Sequence, residues 1–274
     1  MRRNRLASLL LHAALVAGAV LALLPMAWMI SASLMPAGEA TTLPPRFFPR
    51  TVTLEHYEAI FTRLNLGRYL LNSAVIATVV TAVSLVINSM AGYAFAKFRF
   101  RYREPIFRLL TAGLVIPVQV AMLPLFLLMK QLGLINTYWG VIIPGLASIF
   151  GIFLIRQYAA AIPDDLLDAA RIDGASELRI YRSVVVPVIT PILATLAIWT
   201  FLATWNDFMW PLIVLSDERR YTLPVALANL VGEHVQDTEL MMAGSVLTVV
   251  PVLLTFLALQ RYYVAGIMSG SVKG

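Results

Sequence analysis

The sequence has 274 residues, of which 59% are hydrophobic and only 13% are charged. Soluble domains carry about 25% charged residues, so this composition excludes an ordinary soluble protein and indicates that lipid is the main solvent. The net charge of +6 comes mostly from short basic runs beside apolar segments, which is typical of membrane orientation rather than of nucleic-acid binding. The absence of cysteine excludes disulfides, thiol catalysis and cysteine-ligated zinc, and the three histidines show no metal-ligand spacing.

A helix needs about 20 apolar residues to cross the hydrocarbon core of a bilayer. Six stretches meet this requirement and leave no long polar segment over. We therefore predict an all-α polytopic membrane protein with about six transmembrane helices, organised as a single transmembrane domain over residues 1–274. In chain order the predicted spans are Leu9–Ser31, Asn72–Ala96, Leu109–Met129, Tyr138–Ile155, Pro187–Trp210 and Met241–Tyr263.

The first apolar stretch follows Arg2, Arg3 and Arg5, which also fits a cleaved signal peptide. The hydrophobic part of a signal peptide is about 7–15 residues long, and the longer run here favours an uncleaved span. With the N-terminus inside, the inner segments hold twice as many lysines and arginines as the outer ones, which predicts that both termini are cytoplasmic. The basic and aromatic run Lys97–Arg103 is interpreted as part of this signal, in contact with anionic headgroups.

Asp207 is the one acidic residue inside a predicted span, and it shares a helix face with Thr200 and Thr204. Carboxylates in membranes usually face a pore or a partner, so one interpretation makes this face a wall of a translocation path. The alternative is an interfacial aspartate that caps a turn before Pro211. Its depth favours the alternative, because it lies about 30 Å along the helix from Pro187.

Two other spans carry polar residues that are further candidates for a translocation path. Asn88 continues a stripe begun by Thr81 and Ser84, and such small polar faces more often pack helices together than bind a ligand. Gln119 lies between two prolines, which free backbone carbonyls that need partners. A path-lining role and a backbone-bracing role are equally consistent with Gln119.

The loop between the fourth and fifth spans, Arg156–Pro187, is longer than neighbouring helices require and is itself patterned. A helix is predicted to begin at Asp164 and Asp165, whose charges suit a first turn, and to end at Gly174. Ser176 is a predicted cap for a second short helix. The pattern indicates a helix–turn–helix outside the membrane, with a surface hairpin that rests on lipid as the alternative.

This loop resembles the "EAA" loop of permeases in bacterial binding-protein-dependent ABC importers. The glycine and the final proline keep the spacing of that family, while an aspartate stands in place of its glutamate and valines stand in place of its isoleucine and leucine. In that family the loop is a coupling helix that docks on an ATPase subunit. The resemblance assigns this role to seven residues: Asp168, Ala169, Ala170, Asp173, Gly174, Ala175 and Pro187.

Three further stretches resemble the carbohydrate branch of the family: Trp205–Leu212, the last span, and the C-terminal tail, residues 264–274. The tail is similar to that of the shorter partner permease of maltose-type importers. There the tail reaches between the two ATPase subunits, which makes Gly270 and Lys273 predicted contact residues. The alternative is a disordered end, because the glycines and serines of this segment give it little helix propensity.

The resemblance implies a type I ABC importer permease that translocates a sugar across a bacterial plasma (inner) membrane. Its implied partners are a second homologous permease, two ATPase subunits and an extracytoplasmic sugar-binding protein. The sequence has no G-x-x-x-x-G-K-[ST] phosphate loop and no catalytic or metal-binding constellation, so ATP and Mg²⁺ are expected on the ATPase and no cofactor on this chain. The alternatives are an ABC permease for a non-sugar solute, a secondary transporter, or a membrane-embedded enzyme.

Overall fold

The computed structural model describes residues 2–62, 65–233 and 237–271, and within these ranges all regular structure is helical. The all-α prediction is therefore confirmed. The α-helices are α1 (Arg2–Ala32), α2 (Glu55–Thr62), α3 (Leu66–Lys97), α4 (Arg103–Ala112), α5 (Val118–Gln131), α6 (Tyr138–Ile142), α7 (Ile149–Ala160), α8 (Asp164–Ile172), α9 (Glu177–Ile180), α10 (Val186–Trp205), α11 (Met209–Val214), α12 (Leu223–Glu233) and α13 (Thr238–Ser271).

Five helical segments in the described ranges are long and apolar enough to cross a membrane, and a bent pair of helices makes up to six. The five are Ala7–Ala32, Leu66–Lys97, Tyr138–Ala160, Glu177–Trp205 and Thr238–Ala258. They coincide with five of the six predicted spans, because an unbroken apolar run of this length satisfies its backbone hydrogen bonds in a membrane only as a helix.

The predicted third span, Leu109–Met129, is not one straight helix. It divides into Arg103–Val115 and Val118–Gln131, which meet at an angle of 108°. Ile116 is extended, with ψ 118°, and Pro117 follows it. Proline lacks an N–H and disfavours helical geometry in the residue before it, so the helix cannot continue through this point.

The fourth and fifth predicted spans are also interrupted. In the fourth, a short 3₁₀ helix, Ile143–Gly145, separates α6 from α7. In the fifth, the helix ends at Trp205 and not at Trp210, and α11 begins after a break of three residues. Pro211 has no N–H to donate to the carbonyl of Asp207, which prevents a regular helix across the break.

The chain forms two compact units, one of Met1–Arg68 with Ala226–Pro251 and the other of Tyr69–Val225 with Val252–Gly274. In the first unit, Ala32 at the end of α1 forms a buried cluster with Met35 and Ala40. His56 of α2 is 5% exposed and its Nε2 lies 2.9 Å from the carbonyl of Met35. Glu239 is fully buried and accepts a hydrogen bond of 2.7 Å from the N–H of Ala40.

Two buried apolar clusters lie among the described residues of the second unit. The first cluster joins α3, α7 and α10 to the Arg156–Pro187 loop, whose Ile162, Leu167 and Ile180 are at most 3% exposed. The second cluster lies around Ile76, Met129 and Trp210. The loop is therefore part of the packed core of this unit rather than a hairpin that rests on lipid.

The last helix continues to Ser271, so the backbone of residues 264–271 is helical where little helix propensity was predicted. A glycine in a helix costs about 1 kcal/mol relative to alanine, but adding residues to an existing helix avoids the cost of nucleation. The long apolar run upstream supplies that helix. Lys273 lies outside the described residues, and its predicted contact stays a prediction.

Candidate functional site

The first helix of the Arg156–Pro187 loop, which we call the coupling helix, is α8, and it begins at Asp164 as predicted. Its C-terminal end is formed by Gly174, which has a φ of +78°. The N–H of Gly174 bonds to the carbonyl of Arg171, and the N–H of Ala175 bonds to the carbonyl of Ala170. This pair of bonds is a Schellman motif, which uses a glycine because the left-handed conformation carries no Cβ penalty there.

The second helix of the loop differs from the prediction. Glu177–Ile180 continues through a π-helical turn, Tyr181–Val185, directly into the membrane helix α10. Ser176 stands at the predicted N-cap position of this helix, but its side chain makes no capping hydrogen bond. Pro187 is the second residue of α10 and lies directly after the π-helical turn, where the helical hydrogen-bond pattern changes and its missing N–H is accommodated. A displacement of the turn at Gly174 therefore acts on the end of a membrane helix.

Arg171 joins the two helices across the turn. Its guanidinium donates to Asp168 at 2.7 Å and to Glu177 at 2.8 Å. The hydrogen bond with Glu177, followed by that with Asp168, raises the pKa of Arg171 further above its ordinary high value, so this residue stays charged. The hydroxyl of Tyr93 in α3 also donates to Glu177, at 3.4 Å. Charge-assisted bonds of this kind fix the angle between α8 and α9.

Lys97, the last residue of α3, is only 7% exposed at its side chain and reaches the coupling helix. Its ammonium donates to the carbonyls of Ala160 and Ile162 and to the carboxylate of Asp164. The hydrogen bond from Lys97, and then its charge, lower the pKa of Asp164 below its ordinary value. The interpretation of the whole Lys97–Arg103 run as a headgroup contact is therefore wrong for Lys97, which bonds within the protein.

Apolar side chains of the coupling helix and the turn after it are exposed, and no described residue covers them. Leu166 is 45% exposed and Ile172 is 86% exposed, and Leu178 beyond the turn is 49% exposed. Ala169, Asp173 and Gly174 are exposed on the same element, while Ala170 and Ala175 pack on the core beneath it. Exposed apolar side chains rimmed by charges are typical of a protein-interaction site.

Two of the five path candidates, Thr204 and Asp207, line a cavity of about 340 Å³ in the second unit. The carboxylate of Asp207 accepts a hydrogen bond from the N–H of Trp210 at 3.3 Å, which is the turn-capping contact that its depth favoured. Thr200 does not line this cavity, and neither does Gln119, which is exposed. The cavity is lined by Ser73, Ile76, Val80, Val118, Met122, Leu125, Val141, Pro144, Gly145, Thr204, Asp207, Trp210, Pro211 and Thr222.

Asn88 lies elsewhere, fully buried between α3 and α7. Its Oδ1 accepts a hydrogen bond of 3.0 Å from the N–H of Ser148, and Gly151 packs against its amide. These are contacts of a helix-packing residue. A path role for Asn88, Gln119 or Thr200 stays a prediction.

Sequence reasoning missed Ser73 and Thr222, the other polar side chains of the cavity. Thr222 lies in the segment between α11 and α12, where no periodic pattern marks a buried face. The one feature of the sequence that marks Thr222 is its position directly before the apolar start of α12. That signal alone does not indicate a cavity.

Comparison with known proteins agrees with this geometry. Residues 88–269 match the family described as "Binding-protein-dependent transport system inner membrane component". A permease of the arabinooligosaccharide transport system of Halalkalibacterium halodurans is 40% identical over 93% of each chain. A permease of the lactose transport system of Rhizobium radiobacter is 34% identical over 99% of this chain and 98% of that protein.

The fold is also similar to a solved structure. A chain of a bacterial ABC transporter for the import of the acidic polysaccharide alginate superposes with a TM-score of 0.83, at 25% identity, over 96% of this chain and 98% of that chain. A multi-pass helical fold with a packed coupling loop is the fold of a membrane transport subunit. The chain belongs to the family of inner-membrane components of binding-protein-dependent transport systems.

Proposed function

We propose that this chain is a permease subunit of an ATP-binding-cassette importer and carries a saccharide delivered by an extracytoplasmic binding protein. The coupling helix is the observation that supports this most directly. It packs on the cluster that joins α3, α7 and α10, and its opposite, exposed side carries Leu166 and Ile172. A partner that binds this exposed face gains a rigid connection to α3 and α10.

The saccharide is proposed from the relatives, whose names include arabinooligosaccharide and lactose transport systems over nearly the full length of this chain. A permease for a non-sugar solute remains the second candidate within the family. Membership of a binding-protein-dependent family argues against the secondary transporter considered from the sequence.

The energy source is proposed to lie on other chains, because the sequence contains no phosphate loop. Two ATPase subunits would bind ATP and Mg²⁺ and dock on the coupling helices of this chain and of a second homologous permease. Closure of the ATPases would move α8, and the rigid turn at Gly174 would pass that movement to α10. The solute shifts this equilibrium only if it binds one state better than the other.

The orientation follows from the distribution of basic residues, which supports cytoplasmic termini and a cytoplasmic coupling helix in a bacterial inner membrane. The C-terminal residues, with Gly270 and Lys273, are proposed to contact the ATPases. Deletion of residues 266–274 is expected to leave membrane insertion intact and to weaken copurification with the ATPase. If the truncated importer transports at the full rate, the tail has no role in coupling.

The function is tested in proteoliposomes that contain this chain with its second permease and ATPase, supplied with the binding protein. We expect uptake of radiolabelled arabinotriose or lactose that requires both ATP and the binding protein. If the complex takes up another solute but neither these nor other saccharides, the sugar assignment is rejected.

Docking of the ATPase is tested by Ile172→Asp, with Ile172→Leu as the matched control. Ile172 is 86% exposed, so neither change disturbs the fold. The aspartate should abolish copurification with the ATPase, because it places a charge in an apolar contact, while the leucine should retain it. Equal copurification of both variants would show that α8 is not the docking surface.

A further inference from the structure

The cavity beside Asp207 lies where three membrane segments lose regular helical structure. Val118 follows the break at Pro117, Pro144 and Gly145 belong to the 3₁₀ turn between α6 and α7, and Asp207 lies between α10 and α11. These breaks come from different parts of the sequence and adjoin the same cavity.

Interrupted helices are costly in a membrane, because each break leaves backbone N–H and C=O groups without helical partners. They are tolerated where they are buried in protein or line a polar cavity, and discontinuous helices form the solute sites of many transporters. One break explained by a proline is a local packing event. Three breaks around one cavity give it walls of irregular backbone, which is the arrangement that discontinuous helices form at a solute site.

The cavity also contains a buried polar group without a partner. Thr222 is 4% exposed, lines the cavity, and its Oγ1 has no hydrogen-bond partner among the described residues. Buried hydroxyls in proteins are nearly always bonded, so an unpaired one is a place where a ligand or a water molecule completes the structure.

The remaining polar side chains define the chemistry of that ligand. Asp207 is an acceptor of several hydrogen bonds, of which the N–H of Trp210 takes one, and Thr204 adds a hydroxyl that both donates and accepts. The indole N–H of Trp210 is already bonded to the carbonyl of Gly140 at 3.1 Å, which fixes the ring as an apolar wall. No lysine, arginine or histidine is among the described residues that line the cavity, so nothing there neutralises an anionic ligand.

We propose that this cavity is a solute-contact site of this chain, and that it binds an uncharged sugar unit of the transported solute. Asp207 and Thr204 bond to sugar hydroxyls, Thr222 supplies the unpaired hydroxyl, and Trp210 packs against the ring. The volume lies at the lower end of the range of about 300–1,000 Å³ for small-molecule sites, which suits one unit rather than a whole oligosaccharide. The proposal rests on the proposed function and adds to it a site and the charge class of the solute.

A direct test uses the absence of cysteine from this chain. Thr204→Cys places one thiol in the cavity, and Ala203→Cys places one at the preceding position, which is exposed and does not line the cavity. Each importer is treated with methyl methanethiosulfonate at rest and during turnover with ATP and binding protein, with and without arabinotriose or lactose, whichever the wild type transports.

We expect the sugar to slow modification of Thr204→Cys at least threefold during turnover and to leave Ala203→Cys unaffected. Modification of Thr204→Cys at the same rate with and without sugar would show that the cavity holds water only and would overturn the proposal. Failure of Thr204→Cys to react under any condition would overturn it as well, because a solute site must open to one side of the membrane.

A second readout is the amount of sugar transported for each ATP hydrolysed. It is measured with a saturating concentration of the sugar-loaded binding protein. Thr222→Val should lower this ratio on the order of three- to tenfold, because a hydroxyl bond to the solute is lost, and Thr222→Ser should retain it. Removal of an unpaired hydroxyl does not destabilise the fold, so Thr222→Val remains a fair comparison. Equal ratios for both variants would reject the contact.

The outcomes separate this proposal from the proposed function. A wild-type importer that moves no saccharide contradicts the function itself. A wild type that transports sugar while Thr222→Val transports it equally well, with no protection of Thr204→Cys, contradicts the cavity site alone.

Discussion

The ammonium of Lys97 lies 2.7 Å from the carboxylate of Asp164, a residue 67 positions further along the chain. The pair joins the last residue of the membrane helix α3 to the first residue of the coupling helix. Because the same ammonium also bonds to the carbonyls of Ala160 and Ile162, it holds the ends of α3 and α7 and the start of α8 at one point.

Lys97→Met is therefore expected to weaken coupling without preventing membrane insertion. The variant keeps the apolar stem of the side chain but removes the donor that two carbonyls and one carboxylate share. The ratio of sugar uptake to ATP hydrolysis should fall several-fold. Arg99→Met is the matched control. Arg99 is exposed, and its substitution removes a nearby positive charge without removing the bonds that Lys97 makes. Equal uptake ratios in the two variants would assign Lys97 no role in coupling.

The stability contributed by this pair should depend on pH in a defined direction. Because Lys97 lowers the pKa of Asp164 in the folded protein, the contribution is present above the ordinary pKa of an aspartate and is lost as the pH falls through the lowered value. The difference in melting temperature between the wild type and Lys97→Met in detergent should be largest at neutral pH and should shrink in acid. A difference that grows on acidification would show that Asp164 is not the partner that matters.

Substitutions at Gly174 should weaken coupling in proportion to their resistance to a positive φ. A Cβ at this position meets no atom within 4 Å, so the only cost is conformational. That cost is roughly 1–2 kcal/mol for a residue other than glycine, least for asparagine and greatest for a β-branched side chain. Sugar-stimulated ATPase activity is expected to fall in the order Gly174→Asn, Gly174→Ala, Gly174→Val. Equal activities along the series would mean that the turn is not needed in this conformation.

Gly151 should not tolerate an added methyl group. A Cβ there would lie 2.7 Å from Nδ2 of Asn88, a buried side chain held by Ser148. Gly151→Ala is expected to lower the melting temperature, whereas Gly18→Ala, with no atom within 4 Å of the new Cβ, should not. The double variant with Asn88→Ala should be less destabilised than the sum of the two single variants, because the second change removes the clash. Strict additivity would show that the two residues do not compete for space.

Reporter fusions test the orientation. Fusions after Gly274 and near Glu55 should report opposite compartments, with the C-terminal fusion cytoplasmic, because the basic residues predict both termini inside and the segment before α3 outside. The same compartment for both would require a span to be added or removed, and the bent pair α4 and α5 would be the first segment to re-examine.

The local features of this protein could be predicted from its sequence. Apolar runs of membrane-spanning length form helices because the bilayer offers no other partner for the backbone, and this rule identified five spans without reference to the rest of the chain. The coupling helix was equally predictable, because its acidic first turn and the glycine at its end act over a few neighbouring residues. Pro117 also predicted an irregularity in the third span, but the sequence did not show whether the helix would kink or divide there.

Tertiary structure decided which distant side chains meet. From the sequence, Lys97 was interpreted as one more basic residue at a membrane boundary. Only the packing of α3 against α7 placed its ammonium beside the carbonyl at the end of α7. Thr222 carried no pattern, and its role depends on segments as far away as Val118 and Asp207 enclosing the same cavity. Short-range hydrogen bonding and hydrophobicity determine where each helix begins and ends, whereas a site built from several helices exists only after those helices have packed.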